Sequence, residues 1–300
     1  MKKNTKKLDT TERLKLMDMQ NTVKTASSIT GIALHTGARS NLSILPAPEN
    51  TGIIFRRVDM PGKPEVKAVV ENVIDVRRAT TIASRETGAF VVTIEHIMAA
   101  LHASNVDNAI VEMDGPEPPI ADGSAGPYFD MIQNAGIQPQ NAPAEYWTGT
   151  APIMFEDGAS TLALLPADDF KITFTVEFGA TPLDLQHFST VVNTETFAKE
   201  LSRARTFAIY RELEQVIAAG LAKGGSLDNA ILMHDGAIIC KEGMRYPNEL
   251  VRHKMMDMTG DLFLVGKRVK AHVLSVKSGH PTHVKLAQLM RQQELAAGKK

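Results

Sequence analysis

Residues 251–261, VRHKMMDMTGD, space His253, Asp257 and Asp261 four residues apart. If the segment is helical, neighbours at that spacing lie about 5–6 Å apart on one face. An imidazole nitrogen of His253 and a carboxylate oxygen of Asp257 could then share one metal ion. Asp261 is two steps on, about 12 Å from His253 at 1.5 Å per residue, which suits orientation of another side chain better than ligation. Alone, H-x-x-x-D recurs on many solvated helices, so a third ligand is needed from elsewhere. The run TIEHIMAALH offers His96, preceded by Glu95 in the first turn of a second helix. A hydrolytic zinc site has three protein ligands, a water and a carboxylate near that water. A helix N-terminus favours the ionised form of Glu95, as such a carboxylate requires. An exposed, charged first turn accounts for the same pair without any metal. His102 lies about 600° of helical rotation beyond His96, faces away from it and reads as structural.

The chain that must position these groups has 300 residues, 43% hydrophobic and 22% charged, enough for one large or two ordinary domains. With 33 basic and 34 acidic residues, it gives no general reason to bind nucleic acid or an anionic membrane. Cys240 is the single cysteine, so no intrachain disulfide forms and a cytoplasmic setting fits. No stretch approaches the roughly 18 apolar residues of a transmembrane helix. Residues 1–21 lack the apolar middle of a signal peptide and read as a solvated extension with helical character.

Strand-like runs TVKTASSITGIALHTG, SNLSILPAP and TGIIFRRVD come first, then KPEVKAVVENVID. TIEHIMAALHAS switches to helical spacing with Thr93 as its expected N-cap. YFDMIQNAG is a short helix closed by Gly136, and QPQNAPAEYW reads as a linker near residues 138–147. The second half runs similarly, with APIMFEDGASTLALLPA and FKITFTVEF followed by an expected helix TFAIYRELEQVIAAG. VDNAIVEMDG and LDNAILMHDG share six of ten positions, which points to a duplicated unit. The expected fold is α+β: two domains of similar topology, 22–140 and 147–300, each a mainly antiparallel sheet packed with helices.

At this point the residues carry a resemblance. TIEHIMAALHASNVDNAIVEMDGPEPPIADGSAGPYF, SRARTFAIYRELEQVIAAGLAKGGSLDNAIL, ELVRHKMMDMTGDLFLVG and KSGH, in this order, resemble the UDP-3-O-acyl-N-acetylglucosamine deacetylases. These are zinc enzymes of the committed step of lipid A synthesis in Gram-negative bacteria. The resemblance implies an active site between two like domains. It implies zinc ligands His96, His253 and Asp257, Glu95 as the base, and His280 as the cationic acid tuned by Asp261. Thr206 would help bind the scissile carbonyl oxygen and Lys254 the substrate. Phe207, Tyr210 and Leu213 would line an acyl-chain passage, being otherwise an ordinary core stripe, and Phe178 would lie near the uridine, being otherwise a common strand aromatic. One zinc ion, the UDP-sugar as partner and a monomeric chain complete the expectation. Many members carry a cysteine near RRATTIASR, where this chain has Thr80, Thr81 and Ile82, so any regulatory thiolate there is absent.

Rival readings are weaker. A structural zinc site is usually rich in cysteine; an RNA binder would be basic and aromatic. GLAKGGS lacks the Gly-Lys-Ser/Thr ending of a nucleotide phosphate loop.

Overall fold

The computed structural model describes residues 18–179 and 185–298. Residues 1–17 of the expected extension lie outside them; residues 19–21, at its end, are described. They form part of strand Met19–Val23, which pairs antiparallel with Ile137–Pro143. The expected linker is thus largely strand, since its main-chain groups find partners at the chain's own N-terminal end.

Two five-stranded sheets repeat one topology. In the first the order is Ser27–Ile32, Arg39–Pro46, Ala109–Met113, Ile53–Arg57, Glu65–Lys67; in the second it is Ile153–Asp157, Ser160–Pro166, Ala271–Val276, Phe170–Glu177, Leu185–Val191. In each, only the third and fourth strands run parallel, and the rest pair antiparallel. Strand Phe170–Glu177 alternates buried and half-buried residues, as a sheet with one face on a core requires. The repeat is real, but the ten-residue match that pointed to it is not part of it. Ala109–Met113 is central to the first sheet, whereas Ile231–His234 belongs to a separate three-stranded sheet. The true counterpart, Ala271–Val276, does not share its sequence.

Among the described residues five longer helices follow in chain order: α1 (Glu95–Ala103), α2 (Gly126–Ala135), α3 (Tyr210–Ala218), α4 (Glu249–Phe263) and α5 (His280–Ala297). Helices α1 and α4 occupy equivalent places in the two halves and pack on each other. Every residue of α1 is buried, and every residue of α4 except Lys254. A helix enclosed on all sides lies in the middle of the molecule, and polar groups on it need partners there. One apolar cluster, including Leu42, Phe55, Leu162 and Phe174, runs through both halves. Each half also carries an insert before its buried helix. The first is a small sheet of Val73–Asp75, Thr81–Ala83 and Phe90–Val91; the second contains strands Phe207–Ile209, Ile231–His234 and Ala237–Ile239, with α3. No helix among the described residues is long and apolar enough to cross a membrane.

Candidate active site

Helix α1 begins without the expected threonine cap. Thr93 has φ 57°, and its hydroxyl donates to Glu117 Oε1 at 2.9 Å. That bond holds the turn that delivers Glu95 and His96 inward. Gly260 lets α4 cross at the same level. A Cβ there would lie 2.0 Å from the Glu95 carbonyl oxygen, so any side chain would push the two helices apart.

The crossing brings His96, His253 and Asp257 together, buried, with their ligating atoms all within 4.8 Å of one another. Asp257 Oδ1 is 3.6 Å from His96 Nε2 and 3.4 Å from His253 Nε2. It is a buried oxygen with no hydrogen-bond partner among the described residues, an arrangement that ordinarily costs free energy. His253 Nδ1 donates to the Ala204 carbonyl at 3.0 Å, leaving its Nε2 lone pair facing Asp257. Burial pushes the His96 imidazole down to about 3, and lowers that of His253, so both are neutral. Burial opposes the Asp257 anion, yet the Lys254 ammonium and the His280 imidazolium hold its carboxyl well below the usual range. Two neutral imidazoles around an orphaned carboxylate oxygen are a donor set that fits a zinc ion.

Glu95 Oε2 accepts the Thr80 backbone N–H at 3.0 Å. Burial pushes its carboxyl up to about 7; His280 opposes that rise, while Asp257 and Asp261 add to it. His280 Nε2 lies 3.9 Å from Glu95 Oε1 and 3.8 Å from Asp257 Oδ2. Burial disfavours the His280 cation, but the Asp261 carboxylate, accepting from Nδ1 at 2.8 Å, raises it to about 9. The same Asp261 oxygen accepts from His283 Nδ1 at 2.8 Å, and the other accepts from the Thr80 hydroxyl at 2.7 Å. His283 and Thr80 were not among the site residues expected from the sequence. His283 had a local signal, three residues past His280 on one helix. Thr80 had no such signal beyond its place in the segment RRATTIASR.

Lys254 donates to Asp257 Oδ2 at 2.7 Å. Burial works against its ammonium, and Asp257 more than restores it. Phe207 stands edge-on to His253 with centroids 6.0 Å apart, and Phe178 edge-on to Phe207 at 4.9 Å. Phe207 is in a strand and not in the expected helix, because it pairs in parallel with Ile231. Thr206, Phe207, Leu213, Val216, Ile231 and Leu34 line a cavity of about 340 Å³. Tyr210 does not line it: as the first residue of α3 it is 52% exposed and packs on His234 at 4.3 Å. The first half clasps this insert. Gly123 O accepts from Thr206 N at 2.8 Å, and Asp122 pairs with Arg245 at 2.7 Å. His102 is structural as expected, donating to Thr259 O at 3.1 Å and stacking on Phe263 at 4.6 Å.

Residues 20–292 match the family model described as UDP-3-O-acyl N-acetylglycosamine deacetylase. A relative from Myxococcus xanthus is 41% identical over 267 residues, 89% of this chain and 84% of its own. One from Saccharophagus degradans is 40% identical over 93% of this chain and 92% of its own, and one from Acidithiobacillus ferrooxidans 42% identical over 92% and 91%. All three are named UDP-3-O-acyl-N-acetylglucosamine deacetylase.

Proposed function

The chain belongs to the UDP-3-O-acyl N-acetylglycosamine deacetylase family, and from that premise we propose that it hydrolyses the N-acetyl group of UDP-3-O-acyl-N-acetylglucosamine with one zinc ion, the committed step of lipid A biosynthesis. The observation that carries this is the buried Asp257 oxygen left without a donor between two imidazole nitrogens, with Glu95 and His280 beside it.

His96, His253 and Asp257 would hold the metal. Zinc, when bound, supplies Lewis acidity, lowering the pKa of water to about 7 and drawing charge from a carbonyl oxygen. Glu95 takes the proton of the attacking water; a carboxyl near 7 suits a base at neutral pH. His280 enters as the imidazolium, stabilises the oxyanion and delivers its Nε2 proton to the leaving amine, which departs poorly as an anion. Asp261 keeps the other nitrogen protonated and the ring oriented. The Thr206 hydroxyl donates to the scissile carbonyl oxygen, and Lys254 binds substrate. The cavity between Phe207 and Leu213 takes the acyl chain, and Phe178 borders the uridine. We place the two domains at 22–140 and 147–300, and the enzyme acts as a monomer in the cytoplasm.

Metal analysis and a deacetylation assay test this together. The expected result is about one zinc per chain, low occupancy in His253→Ala and Asp257→Ala, and full occupancy with activity lowered at least a hundredfold in Glu95→Gln, since a general base typically contributes about 10²–10⁴-fold. A metal-free Glu95→Gln protein beside a fully loaded His253→Ala protein would reverse the ligand assignment.

A further inference from the structure

Thr80 is fully buried at the meeting of the two halves. Its backbone N–H donates to Glu95 Oε2 at 3.0 Å, its hydroxyl donates to Asp261 Oδ1 at 2.7 Å, and its carbonyl accepts from Ile94 N at 3.4 Å. One residue therefore binds the carboxylate of the first half that faces the reaction and the carboxylate of the second half that orients His280. Resting on the function proposed above, we infer that Thr80 is a positioning residue: its hydroxyl fixes the rotation of the Asp261 carboxylate and thereby the ring of His280 relative to Glu95.

The argument is one of acceptor geometry. A carboxylate has about four lone-pair sites, and Asp261 offers two of them through a single oxygen, Oδ2, to the competing imidazoles His280 and His283. Both N–H groups reach Oδ2 only while the carboxylate plane is held. The Thr80 hydroxyl on Oδ1 is the restraint on that plane. His283 is anchored independently, since its Nε2 meets the Ser278 hydroxyl at 2.9 Å. Beyond Asp261, His280 Nδ1 has a long contact of 3.4 Å to the same Thr80 hydroxyl, and its Nε2 faces the site, 3.9 Å from Glu95 Oε1. Without the Thr80 hydroxyl, Oδ1 is left buried and unsatisfied, an expensive state for an ionised oxygen. The carboxylate then turns to share both oxygens between the imidazoles, and His280, the less tethered ring, moves. The γ-methyl of Thr80 contributes packing alone, so the hydroxyl and the methyl can be separated by substitution.

The test compares Thr80→Val, Thr80→Ser and Thr80→Ala in the full, zinc-loaded chain. Thr80→Val keeps shape and the backbone N–H but removes the hydroxyl. It should lower kcat about ten- to a hundredfold, the range expected for a lost hydrogen bond to a charged group, with KM and zinc content unchanged. Thr80→Ser, which keeps the hydroxyl, should stay within a few-fold of the parent. In proton spectra of ¹⁵N-histidine-labelled protein, the imidazole N–H signals bound to Asp261 should move in Thr80→Val and hold in Thr80→Ser. If Thr80→Val does not fold, Thr80→Ala against Thr80→Ser still isolates the hydroxyl, because both lack the methyl. Equal kcat in Ser and Ala variants, or unmoved imidazole signals with parental kcat in Thr80→Val, would overturn the inference. A parent chain that leaves the UDP-sugar untouched would instead refute the proposed function, and the imidazole signals would still report on Thr80.

Discussion

In the proposed mechanism His280 needs a proton at neutral pH in a place that disfavours charge, and Asp261 is the group that keeps it there. Burial alone would push the imidazole down; the carboxylate at 2.8 Å raises it to about 9. Asp261→Asn keeps the shape and removes the anion, so the His280 pKa should fall and the alkaline limb of the pH–rate profile should move to lower pH, with zinc content unchanged. The pair titrates with its neighbours, so the direction of movement is the reading to take; a limb that stays in place would show that another group owns it. Residue types told much of this in advance. His253 and Asp257 sit one helical step apart, and Glu95 adjoins His96, so spacing exposed both pairs. Spacing could not show that Thr80 would meet Asp261, because their partnership crosses 181 positions of sequence and depends on how two sheets fold together.

At the scale of elements, the α1–α4 crossing does the positioning. His102 ties α1 to the Thr259 carbonyl of α4, and burial lowers its imidazole to about 4. The unfolded chain binds that proton near pH 6.5 and the folded one only near 4, so stability is full above pH 6.5 and is lost as pH falls toward 4. The loss amounts to roughly 3 kcal/mol at about 1.4 kcal/mol per pH unit. His102→Phe, which preserves the stack on Phe263, should flatten denaturant-measured stability across that window; an unchanged slope would mean other groups carry it. The helix α3 passage gives a second test. Leu213→Glu should raise KM for a long-chain substrate far more than for a short-chain analogue, whereas equal damage with a lower Tm would make Leu213 ordinary core. Helical periodicity had placed Phe207, Tyr210 and Leu213 on one stripe. Phe207 and Leu213 both line the cavity, but Phe207 reaches it from a strand paired with Ile231, and Tyr210, where the helix begins, lies outside it. The capping rule failed at Thr93 for a comparable reason: Glu117, from a distant loop, takes the hydroxyl that a local cap would have used.

The whole molecule is two copies of one sheet-and-helix plan, with one proposed ligand, His96, from the first copy and two, His253 and Asp257, from the second. A metal held this way clamps the halves, and only the folded chain presents all three ligands. Folding and metal binding are therefore linked: at free zinc a hundredfold above Kd the folded state gains about 2.7 kcal/mol. At a few degrees per kcal/mol for a chain of this size, a chelator should lower Tm by about 5 °C or more. The metal-free protein should still unfold in one transition. The apolar cluster is continuous across both halves, and Arg268 of the second pairs with buried-side Asp107 of the first at 2.6 Å, so neither half has a core of its own to fall back on. His96→Ala removes the first half's ligand while leaving that core in place. Its Tm should be nearly indifferent to chelator, and should lie close to that of the chelated parent apart from the cost of the lost ring. Calorimetry with and without chelator on both proteins decides the matter. An equal chelator shift in the two would mean that the stabilising metal sits elsewhere, and two separate transitions in the parent would mean that the halves do not share one cooperative core.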